Sequence, residues 1–492
     1  MIIYNNSKNT IHLDDIDDFI PYQDEKHISI SAEKLKRSKC LRNAIINGLF
    51  TIVSHDENEH IEKSVVYMSK KHIPQPTPKT EMEYEPVPHG DGIEVKIHGL
   101  FYDSSGYSKV NRNLALQLNK MGFKVKIDGK TGQNQICDSD LTDLLPLSQT
   151  RVSRNHILID SVIPSFGEAS SGKYKILYTT IESYTVPKQF LDACQNYQEV
   201  WTTGRFGVDI LKKYIKDKPI YAVQTGADPD LYKEEGDKFN FKPNVKDFVF
   251  LSVFTWGYRK GPDVLCRAYF DEFSASDNVS LLIMSRYQSG KTRHHKEKIK
   301  IDIDKYMTEF PNKDLPHLVR FNQIISEKDM PKLYRSANSF ILTTRGECIG
   351  LPPLEASLCG LPVIMTNCSG QQEYLREDNS YRIEIDRISP LQPGMSHLHY
   401  WDGQEFPELT SKNVHNQVKK LMREVYDNYD EAKERNKKLQ KLILSKYTWK
   451  HNAITAADRL KQIHKNLENL TSGTTGLKPR SMSVTTDIVS HD

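Results

Sequence analysis

The chain contains no run near 20 consecutive apolar residues, which excludes a predicted membrane-spanning helix. It is nearly without net charge: 67 Lys and Arg face 64 Asp and Glu, leaving +3 over 492 residues. That argues against a purely electrostatic nucleic-acid binder, while leaving room for a local basic groove. No C-x-x-C pair occurs among the seven cysteines, and their odd number and scatter predict reduced, mostly buried thiols. The first residues, MIIYNNSKNT, lack the basic start, apolar stretch and small-residue cleavage site of an export signal. Together these absences predict a protein of a reducing cytoplasm, without a transmembrane segment. The length itself predicts two or three domains, at roughly 100 to 200 residues each.

The punctuation of the chain suggests where those domains lie. Residues 1–53 read as a small accessory module, with an acidic turn from Asp14 to Asp18 and a helix beginning near Ser31. Gly48 is placed to end that helix before a strand-like Leu49 to Val53. Residues 54–91 form a polar, proline-rich linker, whose prolines disfavour helix and central strand. From Ile93 the pattern becomes strand, loop, helix, strand: IEVKIHG, then GLFYDSSGYS, then a helical face of Val110, Leu114, Leu118 and Met121 ended by Gly122, then FKVKI.

A second series follows, with strands FVFLSVF from 248, VSLLIM from 279, SFILTT from 339 and PVIMT from 362. Helices are predicted from Pro262, over Glu327 to Ser336, and near Pro353 to Cys359. The fold class is therefore α/β: two doubly wound Rossmann-like domains, 92–235 and 236–445, facing a cleft, with ligands at the carboxyl ends of the strands. A long helix from Asn413 to about Leu444 and another after Trp449 close the fold, and 469–492 reads as a disordered tail.

Chemistry concentrates in RGECIGLPPLEASLCGLPVIMTNCSGQQEYL, residues 345–375. It follows an apolar strand and enters a helix with Pro352 and Pro353 in its first turn, where a missing N–H costs little. Backbone N–H groups at Gly350 and Leu351 are then expected to point at the cleft, ready for an anion. Glu347 lies on the loop and Glu355 inside the helix. A carboxylate at a strand end can hold sugar hydroxyls, and one on the helix can take both ribose hydroxyls.

This segment resembles the E-x7-E signature of retaining glycosyltransferase family 4, which has the GT-B fold. VFTWGYRKGPDVLCRAY is similar to that family's K-G-x-D-x-L segment, so the resemblance implies Lys260 and Arg259 as a clamp on the donor diphosphate. FNQIISEKDMPKLYRSANSFI is similar to the stretch whose backbone receives the nucleobase, here near Ile324 and Ile325. TTIESYTVPKQFL, TTGRFGVDIL and VQTGADPDLY resemble the first-domain landmarks, and the resemblance spans about residues 93–465.

It implies an acceptor domain at 92–235, a donor domain at 236–445, a helix at 446–468 returning to the first domain, and a nucleotide diphosphate sugar, of UDP or GDP, as donor. It further implies transfer with retention to an acceptor hydroxyl of a saccharide, protein or modified nucleic acid, without cofactor or metal, with Glu347 positioning the sugar. Two departures stand out. Phe254 replaces an arginine found in many relatives six residues before the lysine, leaving the second positive charge to Arg259. Glu182 stands where many place a histidine near the reacting sugar.

Gly106, in the first strand-to-helix loop, reads either as a tight turn or as a point of close approach to donor or acceptor. Other motifs read as bland. SRYQSGKT (285–292) nearly matches a phosphate loop, but Ser285 replaces its first glycine. TSGTTGLKPR, from Thr471, transposes the Lys and Pro of the adenylate-forming signature. His294 and His295 point different ways with no third ligand, and the Asp14–Asp18 run reads as a solvated turn. The reading from another class is a catalytically silent nucleotide-sugar sensor or scaffold. In either, residues 1–53 are available to dock a partner or acceptor.

Overall fold

The computed structural model describes residues 89–131, 141–163, 171–239, 241, 245–287, 292–321, 323, 325–395 and 399–472, and short strands between residues 2 and 52. Those strands are β1 (Ile2–Asn5), β2 (Ile11–Leu13), β3 (Asp18–Ile20), β4 (Ile28–Ser29) and β5 (Phe50–Ile52). β1 pairs antiparallel with β4 and β5, and β2 with β3. They belong to a unit that clusters separately from the rest of the chain. The helix expected near Ser31, most of the Asp14–Asp18 turn, nearly all of the proline-rich linker and residues 473–492 lie outside the described residues.

The larger unit holds two six-stranded sheets. The first comprises β6 (Glu94–Leu100), β7 (Lys124–Lys130), β8 (Ile157–Ser161), β9 (Tyr174–Thr179), β10 (Glu199–Thr202) and β11 (Ile220–Ala222), in the order β11-β10-β9-β8-β6-β7. The second comprises β12 (Phe248–Trp256), β13 (Val279–Tyr287), β14 (His317–Phe321), β15 (Ser339–Leu342), β16 (Val363–Thr366) and β17 (Tyr381–Ile383), in the order β14-β13-β12-β15-β16-β17. Every pairing in both sheets is parallel. All six carboxyl ends of a sheet therefore share one edge. In the second sheet the order reverses between β12 and β15, the crevice where doubly wound folds bind ligands.

Burial explains the strands. β8 is buried at every residue and β12 at seven of its nine positions, as a sheet covered on both faces requires. Helix Gly106–Lys120 begins at Ser105, whose hydroxyl accepts from the Ser108 N–H, and buries Val110, Leu114 and Leu118 against its sheet. The expected helix from Asn413 is two helices, Lys412–Asp427 and Tyr429–Lys446, broken at Asn428. The first half packs on helix Pro262–Glu272 and the second on helix Leu351–Leu358. Two different partners demand two axes, and one straight rod could not serve both.

The last helix, Trp449–Ser472, lies on helix Gly106–Lys120 of the first sheet. Asn452 donates to the Gln224 carbonyl at 2.8 Å, and Arg459 grips the fully buried Glu199 at 2.6 Å. A hairpin of β18 (Ile388–Pro390) and β19 (Glu405–Pro407) follows the second sheet, with Leu391, Trp401 and Phe406 as its small core.

Candidate active site

The chain leaves β12 at Trp256 and makes a single tight turn, Tyr258–Lys260, before helix Pro262–Glu272 begins. Gly261 closes the turn at φ 68°, where a Cβ would lie 1.8 Å from the Thr343 carbonyl oxygen, so glycine is obligatory. The loop after β15 is stitched to this turn. The Arg345 N–H donates to the Arg259 carbonyl at 2.6 Å, and the Thr343 hydroxyl to the Gly261 carbonyl at 2.7 Å. Arg345 itself is 1 % exposed, bonds both oxygens of Asp263 at 3.0 and 2.8 Å, and stacks 3.7 Å from the Tyr258 ring centroid. Two adjacent strand ends are thereby fixed as one platform.

On that platform Arg259, Lys260 and Glu347 converge. Glu347 Oε1 accepts from Lys260 Nζ, from Arg259 Nη1 at 3.1 Å and from the Thr344 hydroxyl at 3.0 Å. Burial alone would raise the Glu347 carboxyl, but Lys260 and Arg259 outweigh it and hold it below the usual carboxylate range. Lys260 is held below its ordinary value by burial and by the adjacent Arg259. Gly350 follows at φ 84° and caps helix Leu351–Leu358, with Pro352 and Pro353 in its first turn.

Glu182, which follows β9 in the first sheet, reaches the same cluster: its Oε1 lies 3.0 Å from Arg259 Nη2. Burial raises its carboxyl above the ordinary range. Contact between the two loops is close. A Cβ on Gly346 would stand 2.0 Å from the Glu182 carbonyl oxygen. The hairpin covers this junction from outside. Tyr184 donates its N–H to the Glu405 carbonyl at 2.9 Å, and the Glu405 N–H donates to the Thr185 hydroxyl at 2.9 Å. Tyr400 and Phe190 meet with ring centroids 5.3 Å apart.

Glu355 stands 4 % exposed inside its helix. One oxygen accepts from Lys109 Nζ at 2.5 Å and the other from the Tyr334 hydroxyl at 2.8 Å. Lys109, from helix Gly106–Lys120, also reaches Glu327 at 2.9 Å and the Tyr232 hydroxyl at 2.8 Å. Burial would lower Lys109, yet Glu327 and Glu355 hold it above its ordinary value. Each carboxylate oxygen of Glu355 has a second lone pair for a further hydroxyl donor.

Of the remaining sequence-predicted residues, Gly106 opens its helix with nothing within 4 Å of where a Cβ would stand, Ile325 is half-buried against the core of the second sheet, and Ile324 lies outside the described residues. Lys109, Glu327, Arg345 and Asp263 were not legible as site residues. Only Asp263, the aspartate of K-G-x-D-x-L, carried a local signal.

Among the described residues no group of three or more His, Cys, Asp or Glu is arranged to hold a metal ion. The side chains of His294 and His295 and residues 288–291 of the phosphate-loop-like segment lie outside what is described. Five cysteines, Cys194, Cys266, Cys348, Cys359 and Cys368, are free and buried. Burial pushes Cys348, Cys359 and Cys368 up to about 12. No helix among the described residues is long and apolar enough to cross a membrane.

Residues 245–389, the second sheet and its site loops, match the family model described as Glycosyl transferases group 1. A probable sucrose-phosphate synthase of Thermosipho melanesiensis is 30% identical over 138 residues, 27% of this chain and 25% of that protein. D-inositol 3-phosphate glycosyltransferase 1 of Catenulispora acidiphila is 22% identical over 160 residues, 32% of this chain and 37% of that protein. The chain thus spans about a quarter to a little over a third of the length of these curated relatives.

Among solved structures, sucrose-phosphate synthase from Thermosynechococcus elongatus superposes with a TM-score of 0.55 at 14% identity, over 76% of this chain and 100% of that one. HepE from Anabaena, in complex with UDP and glucose, gives 0.50 at 11% identity, over 76% and 99%. Both likenesses are likenesses of fold, and the fold is GT-B.

Proposed function

We propose that this protein is a retaining glycosyltransferase that moves a sugar from a nucleotide diphosphate sugar to an acceptor hydroxyl. The observation that carries the reading is the convergence of Arg259 and Lys260 on Glu347 at the switch point of the second sheet, beside the amino end of helix Leu351–Leu358. Breaking a sugar–phosphate bond builds negative charge on the departing diphosphate, and preorganised cations and helix-end N–H groups lower that barrier. Lys260, Arg259 and the Gly350 and Leu351 amides supply this field in place of a divalent ion. Glu347 orients the sugar, and Glu355 offers its free lone pairs to the ribose. The donor nucleotide is UDP or GDP. HepE, whose fold this chain shares, was solved with UDP and glucose, which favours UDP. Retention follows the family resemblance, through a front-face route in which the leaving phosphate helps deprotonate the acceptor.

The test is turnover of UDP-, GDP- and ADP-sugars, by hydrolysis or transfer, in the wild type and in Lys260→Ala. Loss of one such cation should lower kcat by about 100- to 1000-fold, with no effect of EDTA on the wild type. Unchanged turnover in Lys260→Ala counts against the site. Binding of a nucleotide sugar without any turnover counts for a silent sensor. The proposal extends to residues 1–53 as the acceptor-docking module: deleting them should impair work on the true acceptor and spare donor hydrolysis.

A further inference from the structure

The charges around the proposed donor site cancel before any donor arrives. Arg259 and Lys260 face Glu347 and Glu182. Lys109 and Arg112 face Glu327 and Glu355, and Arg345 faces Asp263. A dianionic diphosphate entering this region finds its two side-chain cations already paired, is met by the helix-end N–H groups of Gly350 and Leu351, and adds like charge to buried carboxylates, which is costly in a low-dielectric site. Neutralising one carboxylate would relieve that cost.

The two carboxylates beside the proposed diphosphate clamp are unequal. Glu347 is 6 % exposed, accepts from Lys260, Arg259 and Thr344, and is anchored through its own N–H to the Ser369 hydroxyl at 3.1 Å. Among the described residues Glu182 holds an ion pair to Arg259 alone. The groups facing Glu182 are Arg259 and Lys260 from the turn after β12, Glu347 and Cys348 from the loop after β15, Tyr107 from helix Gly106–Lys120 and Tyr400 from the hairpin. Burial holds Cys348, Tyr107 and Tyr400 above their ordinary values, so they stay neutral near pH 7 and cannot absorb the imbalance. The weakly held carboxylate is also the one that burial already pushes toward protonation.

We propose that Glu182 takes up one proton from solvent when the diphosphate of a nucleotide sugar seats on Arg259 and Lys260. The carboxylate becomes a neutral carboxylic acid, its ion pair to Arg259 opens, and the guanidinium turns its donors to phosphate oxygens. The inference rests on the donor-site reading above and adds to it a linkage between donor affinity and pH.

The experiment is calorimetric titration of the full chain with UDP-glucose, GDP-mannose and ADP-glucose in two buffers of different ionisation enthalpy. These diesters carry no group titrating near neutral pH, unlike a terminal phosphate with its second pKa of about 6, so any proton taken up belongs to the protein. The sugar nucleotide that binds should show net proton uptake. Its affinity should fall by up to about tenfold per pH unit as pH rises above the free value of Glu182. Glu182→Gln should bind the same ligand with no uptake and a flat pH dependence.

Binding without uptake, or uptake that persists in Glu182→Gln, overturns the proposal while leaving the donor site standing. No binding by any of the three overturns the donor site, and this inference with it. If the variant does not fold, the wild type decides alone, since proton release or no exchange contradicts the assignment.

Discussion

Arg345 shows how much of this site is held by a residue that points away from it. Its guanidinium is bidentate to Asp263 and stacked on Tyr258, so it fixes the turn that carries Arg259 and Lys260. Lysine keeps the charge but loses both the fork and the stack. Arg345→Lys should lower stability by about 3 kcal/mol, because Asp263 is left with an imperfect buried partner. Urea unfolding measures this, and turnover should fall with it as the turn loosens. An unchanged midpoint would show that the platform does not depend on this pair.

Legibility in sequence followed contact distance. Glu347, Glu355, Arg259 and Lys260 stood out because short segments carry them in a fixed order. Lys109 bonds a partner 246 positions away, and nothing near it in the sequence marks that meeting. Glu182 was legible as a position but not as a partner of Arg259, because its approach depends on the docking of the first sheet's loops.

At the scale of elements, the parallel strands were readable because burial on both faces demands unbroken apolar runs. The break at Asn428 was not readable, because either half alone has a good helical pattern and the change of axis arises only from the helices beneath. The hairpin β18–β19 was equally silent: its short strands carry no long alternation, and its core of Leu391, Trp401 and Phe406 forms only on folding.

The start of β6 supplies a pH prediction. Glu94 accepts from Lys124 Nζ at 2.8 Å and from the Ser153 N–H at 2.7 Å, and these bonds lower its carboxyl from 4.5 to about 2. A lowered folded-state value contributes stability that is present above the unfolded value and lost as pH falls through the folded one. Glu94 should therefore steepen the decline of thermal stability from about pH 4.5 down to about pH 2. Glu94→Gln should flatten that limb, and an identical profile for the variant would count against the pairing.

For the whole molecule, the two sheets are joined by chain passing between them twice, once between β11 and β12 and again at Thr448 before the final helix. Arg459 secures the second passage by pairing with Glu199, which also accepts from Trp201 Nε1 at 2.6 Å. Arg459→Ala leaves that carboxylate buried without its cation and should cost about 3 to 5 kcal/mol. Thermal unfolding of the variant, with a midpoint within error of wild type, would refute this.

The two passages also touch. Ala227 and Thr448 form a parallel bridge, the Ala227 N–H donates to the Tyr447 carbonyl at 2.9 Å, and a Cβ on Gly226 would meet Thr448 backbone at 2.4 Å. A body tethered at one point can swivel in any direction, whereas one tethered by two strands pinned side by side swings like a door on its post. Any rotation of one sheet against the other is accordingly confined to an axis through this pinned pair of strands at Gly226 and Thr448.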